Sequence, residues 1–304
     1  MPELPFLEIL AENLAAAVSG RRIEAIEIRQ PALLRQATPS AESFRGEYLS
    51  HPSRVGKYLV FETESRRAIV IHLMRLGRLS VVAPEAAGSR ASRRAISPPS
   101  RRPKSGGGVP RNVSARFAFD DGSELRLIEH GTEKRARLWL VDDLDAVEEL
   151  RGIGPDPMRG GLTREAFDAA ARATSRQLKS FLTDQRAIAG IGNGLADEIL
   201  FEARLSPLQR TGNLSNEEMK GLYEAVRPVL ERQVALLRES AGGQLPQKEP
   251  VEHYVVHDHK GEPCPRCGTP IAWISYAERD TFYCPGCQTG GTALKDRRLS
   301  KLLK

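Results

Sequence analysis

The sequence predicts an α+β protein of more than one domain, and three observations support this prediction. Short β-rich runs separated by turn residues occupy the first 150 residues. The hydrophobic periodicity becomes helical after Gly152–Pro157, and all four cysteines lie between residues 264 and 287. A chain of 304 residues has room for about two domains and a small module. We therefore expect an antiparallel β-sandwich or barrel, then a helical domain, then a metal-binding hairpin.

The N-terminal domain, predicted over 1–150, begins with a helix over 6–19, where leucines recur at helical spacing. The strands predicted after it are Ile23–Ile28, Tyr58–Glu62, Ala68–Leu73, Leu79–Val82, Ala115–Phe119, Leu125–Glu129 and Leu138–Val141. Many short strands without helices between them favour antiparallel sheets over βαβ units.

The helical domain is predicted over 151–245. Its segments begin at Thr163 and continue as Gln177–Leu182, Leu195–Ala203 and Ser215–Glu239. Ser215 followed by Glu218 is a capping box that marks the start of the last helix. A zinc-type module over 246–290 and a basic tail over 291–304 complete the predicted organisation.

The composition excludes several classes of protein. It is 40% hydrophobic and 28% charged, and no window approaches the roughly 18 consecutive apolar residues of a membrane helix. The start, MPELPFLEIL, has no basic n-region, so a signal peptide is not expected. Four cysteines are too few for a disulfide-stapled secreted scaffold. We expect a cytoplasmic protein, associated with the nucleoid if the source is bacterial.

The net charge of +6 comes largely from two segments. A Ser/Pro/Gly/Arg-rich stretch over 84–112, which we predict to be a disordered insertion, carries seven basic residues and no acid between 90 and 111. The tail adds five more basic residues against Asp296 alone. Such appendages usually bind a polyanion, most often nucleic acid, although a solvated loop that only aids solubility has the same composition.

The cysteines form two Cys-x2-Cys pairs with sixteen residues between them. Four thiolates from two tight turns match a tetrahedral Zn2+ site that leaves no open position, so we predict one structural Zn2+ rather than disulfides or free thiols. The predicted ligands are Cys264, Cys267, Cys284 and Cys287. Two predicted strands, Ala272–Ile274 and Thr281–Tyr283, make a hairpin whose loop 275–280 presents Arg279.

A glycine-rich turn, Gly190-Ile-Gly-Asn-Gly194, connects two predicted helices. Glycines there allow positive φ and the close approach of another backbone. The amides of Gly194 and Leu195 begin a helix, so we predict an anion site that takes a phosphodiester, with Asn193 adding its side-chain amide. A turn of this kind that serves packing alone is the alternative.

Pro2 becomes the N-terminal residue if Met1 is removed. Its secondary amine has a low pKa compared with lysine and is partly neutral at pH 7. It can attack an aldehyde-like carbon and form an iminium, and Glu3 beside it can transfer protons.

These pieces together resemble the formamidopyrimidine-DNA glycosylase and endonuclease VIII family of base-excision repair enzymes, in family order over nearly the whole chain. The matching motifs are Met1-Pro-Glu-Leu-Pro5, Gly56-Lys57-Tyr58-Leu59, Ile71-His72-Leu73, Arg137-Leu138-Trp139-Leu140, Ala189-Gly-Ile-Gly-Asn193, Ala196-Asp-Glu198 and Gly261-Glu-Pro-Cys264 through Cys287-Gln288.

The resemblance implies a bifunctional DNA glycosylase and AP lyase that acts as a monomer on double-stranded DNA containing damaged bases or abasic sites. It implies a β-sandwich joined to a helix–two-turn–helix domain with a zinc finger, with DNA in the cleft and the damaged base flipped out. Pro2 is then the nucleophile and Glu3 the general acid and base, and the strand breaks by β- and δ-elimination.

The resemblance also implies DNA-binding residues. Lys57, counted with the catalytic group, Lys179, Asn193 and Arg279 match residues that contact phosphates. The chain departs from the family pattern at Phe6, where an acid is usual, and at Arg75 and Arg135, which stand where the family inserts Met and Phe into the gap left by the flipped base. We expect a cationic wedge there. The loop from Gly242 to Tyr254 is short compared with the segment that caps 8-oxoguanine in the formamidopyrimidine branch of the family, so we expect weak specificity for that lesion.

Other functions explain parts of the sequence. An AP lyase without base removal, a glycosylase for oxidised pyrimidines or bulky lesions, and a damage-binding protein that has lost excision are alternatives. A zinc-ribbon protein bound to RNA or ribosomes accounts for the cysteines and the charge but leaves the N-terminal motif unexplained. Retention of both Pro2 and Glu3 favours an enzyme, because a binding protein has no need of that pair.

Overall fold

The computed structural model describes residues 1–36, 38–84, 110–131, 133–276 and 279–294. Most of the predicted insertion 84–112 and of the basic tail lies outside these residues. Within the described part, no helix is long and apolar enough to cross a membrane. Two compact units make up the structure. The first comprises Met1–Ala16, Pro52–Val60 and Leu144–Lys304, and the second comprises Ala17–His51 and Phe61–Asp143.

The strands are antiparallel, as predicted. They are β1 (Ile23–Ile28), β2 (Ser53–Val55), β3 (Tyr58–Glu62), β4 (Ala68–His72), β5 (Gly77–Val82), β6 (Val113–Phe119), β7 (Glu124–Glu129) and β8 (Arg137–Val141). In the second unit, one sheet has the order β1-β6-β7-β5, and β4 pairs with β8. Burial alternates along β7, which is typical of a strand with one covered face, whereas all five residues of β4 are buried.

The first unit contains the α-helices, apart from the last two residues of the first one. They are α1 (Leu4–Val18), α2 (Arg164–Arg172), α3 (Leu178–Leu182), α4 (Asn193–Glu202), α5 (Asn216–Ala241) and the short α6 (Pro285–Gln288). The predicted capping box of Ser215 and Glu218 is present at the start of α5, and Gly242 ends that helix in the left-handed conformation. The shared core of these helices includes Leu4, so the start of α1 packs with the helical elements.

Strand β2 was not predicted, because it is only three residues long and two of the three are polar. Its central residue, Arg54, is fully buried and pairs with Glu8 of α1 and with Asp156, whose Oδ2 lies 2.6 Å from the guanidinium. A buried arginine needs such partners, since an unpaired charge in the interior costs several kcal/mol. β2 pairs antiparallel with the start of β3.

The C-terminal hairpin consists of β9 (Ala272–Tyr276) and β10 (Arg279–Tyr283), in a register that pairs Tyr276 with Arg279. The strands are longer than predicted and take up part of the expected loop 275–280. Phe282 packs in one apolar cluster with Phe201 of α4 and with two of the cysteines. This contact joins the hairpin to the C-terminal end of α4.

Candidate active site

The carboxylate of Glu3 accepts hydrogen bonds from three backbone N–H groups at the N-terminus of α4. Gly192 and Leu195 donate to Oε2 at 2.8 and 3.1 Å, and Gly194 donates to Oε1 at 2.9 Å. Glu3 is only 5% exposed. Free N–H groups and the positive end of the helix dipole both favour a negative charge here. The carboxylate is therefore held in one position.

Two glycines of the turn make this contact possible. A Cβ on Gly190 would lie 2.7 Å from the Cβ of Leu4, and a Cβ on Gly192 would lie 2.3 Å from Oε1 of Glu3. Gly190 also has φ +84° and accepts a hydrogen bond from the Leu4 N–H at 3.0 Å. The predicted close approach of another backbone is confirmed, and that backbone is the start of the chain itself.

The prediction that the amides of Gly194 and Leu195 bind a phosphodiester is wrong. Both amides donate to Glu3, which carries the negative charge that this helix terminus stabilises. The sequence signal correctly indicated an anion, but residue spacing cannot distinguish a carboxylate more than 180 positions away from an external phosphate. The proposed contact of the Asn193 side chain with DNA does not depend on these amides and stays a prediction.

We expect Gly192→Ala to displace Glu3. The added methyl would overlap the carboxylate, and relief of the overlap requires loss of at least one N–H contact, at a cost of about 1–3 kcal/mol. Thermal unfolding and the rate of strand cleavage at an abasic site measure the effect, and we expect that rate to fall at least about tenfold. Gly221→Ala is the matched control, since nothing lies within 4 Å of its added Cβ and alanine favours the interior of α5. An activity of Gly192→Ala equal to that of the control would contradict the steric argument.

The residue that carries the proposed nucleophile, Pro2, is buried, whereas Met1 is 47% exposed. Glu249 holds the next peptide group, because its Oε1 accepts the Glu3 N–H at 2.7 Å. Burial and the negative charge of Glu3 raise the pKa of Glu249 to about 7, against the opposing effects of the amino terminus and Lys57. Lys57 is also buried, in the turn between β2 and β3. Sequence analysis missed Glu249, since a single acid in a polar loop has no distinguishing pattern.

Asp197 of α4 is fully buried and connects three elements. Its carboxylate contacts Nζ of Lys179 at 2.7 Å and Nδ1 of His257 at 2.8 Å, and accepts the N–H of Phe282 at 3.2 Å. Lys179 also donates to the carbonyl of Asp280 at 2.6 Å. Burial lowers the pKa of His257, but the Asp197 contact outweighs it and raises that pKa. These contacts connect the hairpin and α3 to α4; the predicted contact of Lys179 with DNA stays a prediction.

Glu198, the next residue of α4, is also fully buried and shapes the segment before the hairpin. It accepts the N–H groups of Val255, Val256 and His257 at 2.9, 2.9 and 3.1 Å. Burial raises the pKa of Glu198 despite these contacts. The adjacent acids Asp197 and Glu198 stand among apolar residues of α4, which is a sequence signal for buried carboxylates that hold neighbouring segments. Buried charges need partners of this kind.

The four cysteines come together as predicted. Their sulfur atoms all lie within 4.8 Å of one another, with 3.9 Å between Cys264 and Cys287 and 3.4 Å between Cys267 and Cys284. Sulfur atoms at tetrahedral positions about 2.3 Å from a zinc ion have similar separations. The four thiolates hold one structural Zn2+, and they leave no open position for catalysis.

The two arginines predicted to form a cationic wedge belong to the second unit. Arg75 and Arg135 are both exposed and line the same cavity of about 310 Å3. Glu133 pairs with Arg135 at 2.8 Å across the surface. The two arginines thus lie on the same cavity, and their contact with DNA stays a prediction. Arg279 begins β10, and its side chain lies outside the described residues.

Three parts of the chain match known families. Residues 1–132 match the formamidopyrimidine-DNA glycosylase N-terminal domain, and residues 153–243 match the formamidopyrimidine-DNA glycosylase H2TH domain. Residues 261–290 match the zinc finger found in FPG and IleRS. These matches follow the order of motifs in the sequence and confirm the predicted fold class.

Individual relatives agree with these matches. The formamidopyrimidine-DNA glycosylase of Symbiobacterium thermophilum is 33% identical over 309 residues, covering 98% of this chain and 93% of the relative. The crystal structure of the MutM (Fpg) protein from Thermus thermophilus has a TM-score of 0.76 at 29% identity, covering 96% of this chain and 100% of that one. A complex of the Lactococcus lactis Fpg with a FAPY-dG containing DNA has a TM-score of 0.78 at 25% identity, over 94% and 100% of the two chains. With relatives this similar along nearly its whole length, the chain belongs to the formamidopyrimidine-DNA glycosylase family.

Proposed function

We propose that this protein is a bifunctional DNA glycosylase and AP lyase of base-excision repair, with the amine of Pro2 as its nucleophile. Its substrates are double-stranded DNAs with damaged bases or abasic sites, and it acts as a monomer in the cytoplasm. The observation that carries the proposal is the carboxylate of Glu3, which three amides hold next to Pro2. Solved relatives, such as the Lactococcus lactis enzyme with FAPY-dG DNA, support the substrate class.

The proposed chemistry starts once Met1 has been removed and the Pro2 amine is free. The amine attacks C1′ of the extruded nucleotide and loses its N–H proton as the N–C1′ bond forms. The bond from C1′ to the damaged base breaks, and the base leaves with the electron pair of that bond and takes up a proton. Glu3 donates a proton to the sugar ring oxygen as the ring opens and an iminium forms. The iminium acidifies C2′, so loss of the C2′ proton expels the 3′ phosphate, and a second elimination expels the 5′ phosphate.

The proposed phosphate contacts come from Lys57, Lys179, Asn193 and Arg279, and the gap left by the flipped nucleotide is filled by Arg75 and Arg135. Phosphate contacts position an enzyme on the duplex and do not read sequence. Zn2+ supports this arrangement by holding the hairpin that carries Arg279, and it takes no part at the reacting carbon.

Borohydride trapping on a duplex with one abasic site tests the proposal. We expect the wild-type protein to form a covalent adduct that peptide mapping locates at Pro2. We expect Pro2→Gly, whose terminal amine is primary and lacks the ring that fixes its position, to form at least about tenfold less. In a second variant, one serine is inserted between Met1 and Pro2. The proline nitrogen then stays in an amide bond and cannot act as the nucleophile. Tight binding to the duplex without any wild-type adduct would instead favour the damage-binding protein.

A further inference from the structure

Glu249 contacts the peptide group between Pro2 and Glu3, but it has no role in the proposed reaction. Its Oε1 accepts the Glu3 N–H at 2.7 Å. Only the Cα and carbonyl carbon of Pro2 separate the nitrogens of Pro2 and Glu3, so covalent geometry keeps these nitrogens within about 4 Å of each other. The Oε1 of Glu249 therefore lies within about 7 Å of the Pro2 nitrogen, which is within reach of a proton transfer through one water or after a small rotation.

The surroundings of Glu249 are both charged and confined. The charged and titratable groups that face it are Glu3, the amino terminus, Lys57, His253 and Tyr254. It also lines a cavity of about 10 Å3 together with Pro5, Phe6, Gln233, Leu237, Pro250, His253 and Tyr254. Burial beside the Glu3 carboxylate raises the pKa of Glu249 to about 7, so near neutral pH this group exchanges a proton readily.

We infer that Glu249 accepts the proton that the Pro2 amine loses as it forms the covalent intermediate. This inference rests on the proposed function. At an abasic-site aldehyde, the amine nitrogen bonds to C1′ while its N–H proton passes to Glu249. The carbonyl oxygen then leaves as water, with that proton and one more from solvent, and the iminium remains. The proposed function already assigns Glu3 to the sugar ring oxygen, and Glu249 serves as a separate acceptor for the proton of the amine.

The test compares Glu249→Gln with wild type by borohydride trapping on abasic-site DNA, in single turnover from pH 5.5 to 9. Glutamine keeps an oxygen that can accept the Glu3 N–H but cannot take up a proton. We expect the wild-type rate to rise with pH as the Pro2 amine and Glu249 both lose their protons. We expect Glu249→Gln to keep only the part of that rise that belongs to the amine and to be at least about tenfold slower at pH 8. Glu249→Asp, which restores a carboxylate, should regain part of both.

Two further measurements separate chemistry from folding. Affinity for a duplex with a tetrahydrofuran abasic analogue should change less than about twofold in Glu249→Gln, because the proposed role is not in binding. The matched control is Glu252→Gln, an exposed acid three residues along the same segment, which should have the wild-type pH profile.

Thermal unfolding gives a readout of the buried charge. Folding raises the pKa of Glu249 from 4.5 to about 7. Between about pH 4.5 and 7 the folded state therefore binds more protons than the unfolded state, and the free energy of unfolding of the wild type falls as the pH rises through that window. Glu249→Gln removes this cost, and its Tm should exceed that of wild type at pH 8, with the difference closing near pH 4.5.

The outcomes distinguish the two proposals. An adduct at Pro2 in wild type together with a Glu249→Gln pH profile that superimposes on it would overturn the role of Glu249 and leave the proposed function standing. Absence of any adduct in wild type, or an adduct that peptide mapping locates at a residue other than Pro2, would overturn the proposed function and this inference with it.

Discussion

Glu3→Gln is expected to slow base removal from damaged DNA by about 10²- to 10⁴-fold, the range typical for loss of a general acid. The same substitution should also lower stability. Three N–H groups converge on two carboxylate oxygens, and an amide would turn one oxygen into an N–H donor that faces other donors. At least one buried backbone N–H then lacks an acceptor, at a cost of about 1–3 kcal/mol.

Single-turnover base release and thermal unfolding measure the two effects separately, with the rates taken well below the Tm of the variant. Glu12→Gln is the control, since Glu12 lies on the same helix α1 but is exposed and pairs only across the surface, with Arg238 at 2.7 Å. Such pairs contribute at most about 1 kcal/mol. Base release by Glu3→Gln within threefold of the wild-type rate would contradict its assignment as the general acid.

Much of the fold could be predicted because it depends on local patterns. The strand β7 carries a period-2 signal and the helix α5 a period-3.6 signal, and the capping box fixes where α5 begins. The zinc ligands were equally predictable, since two Cys-x2-Cys turns already place two thiolates each. In these cases the information lies within a few residues of the feature that it determines.

The centre of the site could be predicted only in part, because its contacts join distant residues. Glu3 and the glycine turn were each identified, but their pairing across more than 180 residues was not. Asp197 and Glu198 were noticed as a family motif, while their partners at 255–257 and in the hairpin follow only from the tertiary fold. Glu249 had no local signal, since the pKa of a carboxylate depends on burial and on charges that the chain brings together in space.

The second large effect is expected at the zinc site, for Cys264→Ser. Serine is a poor zinc ligand, and because the folding of such a module is coupled to metal binding, loss of one thiolate should release the ion and unfold the hairpin. Cys264 also packs with Phe201 and Phe282 in the apolar cluster that holds the hairpin against α4. With the hairpin unfolded, Asp197 loses the N–H of Phe282 and Lys179 loses the carbonyl of Asp280.

We therefore expect metal analysis to find less than one tenth of the wild-type zinc in Cys264→Ser, and affinity for a tetrahydrofuran-containing duplex to fall at least about tenfold. Circular dichroism should still show the β-sheet signal, because the four-stranded sheet β1-β6-β7-β5 belongs to the second unit. Pro265→Ala, an exposed change between the first two ligands, should retain both zinc and DNA binding. Wild-type DNA affinity in a zinc-free Cys264→Ser protein would contradict the proposed role of the hairpin, since the phosphate contact assigned to Arg279 requires β9 and β10 to stay paired.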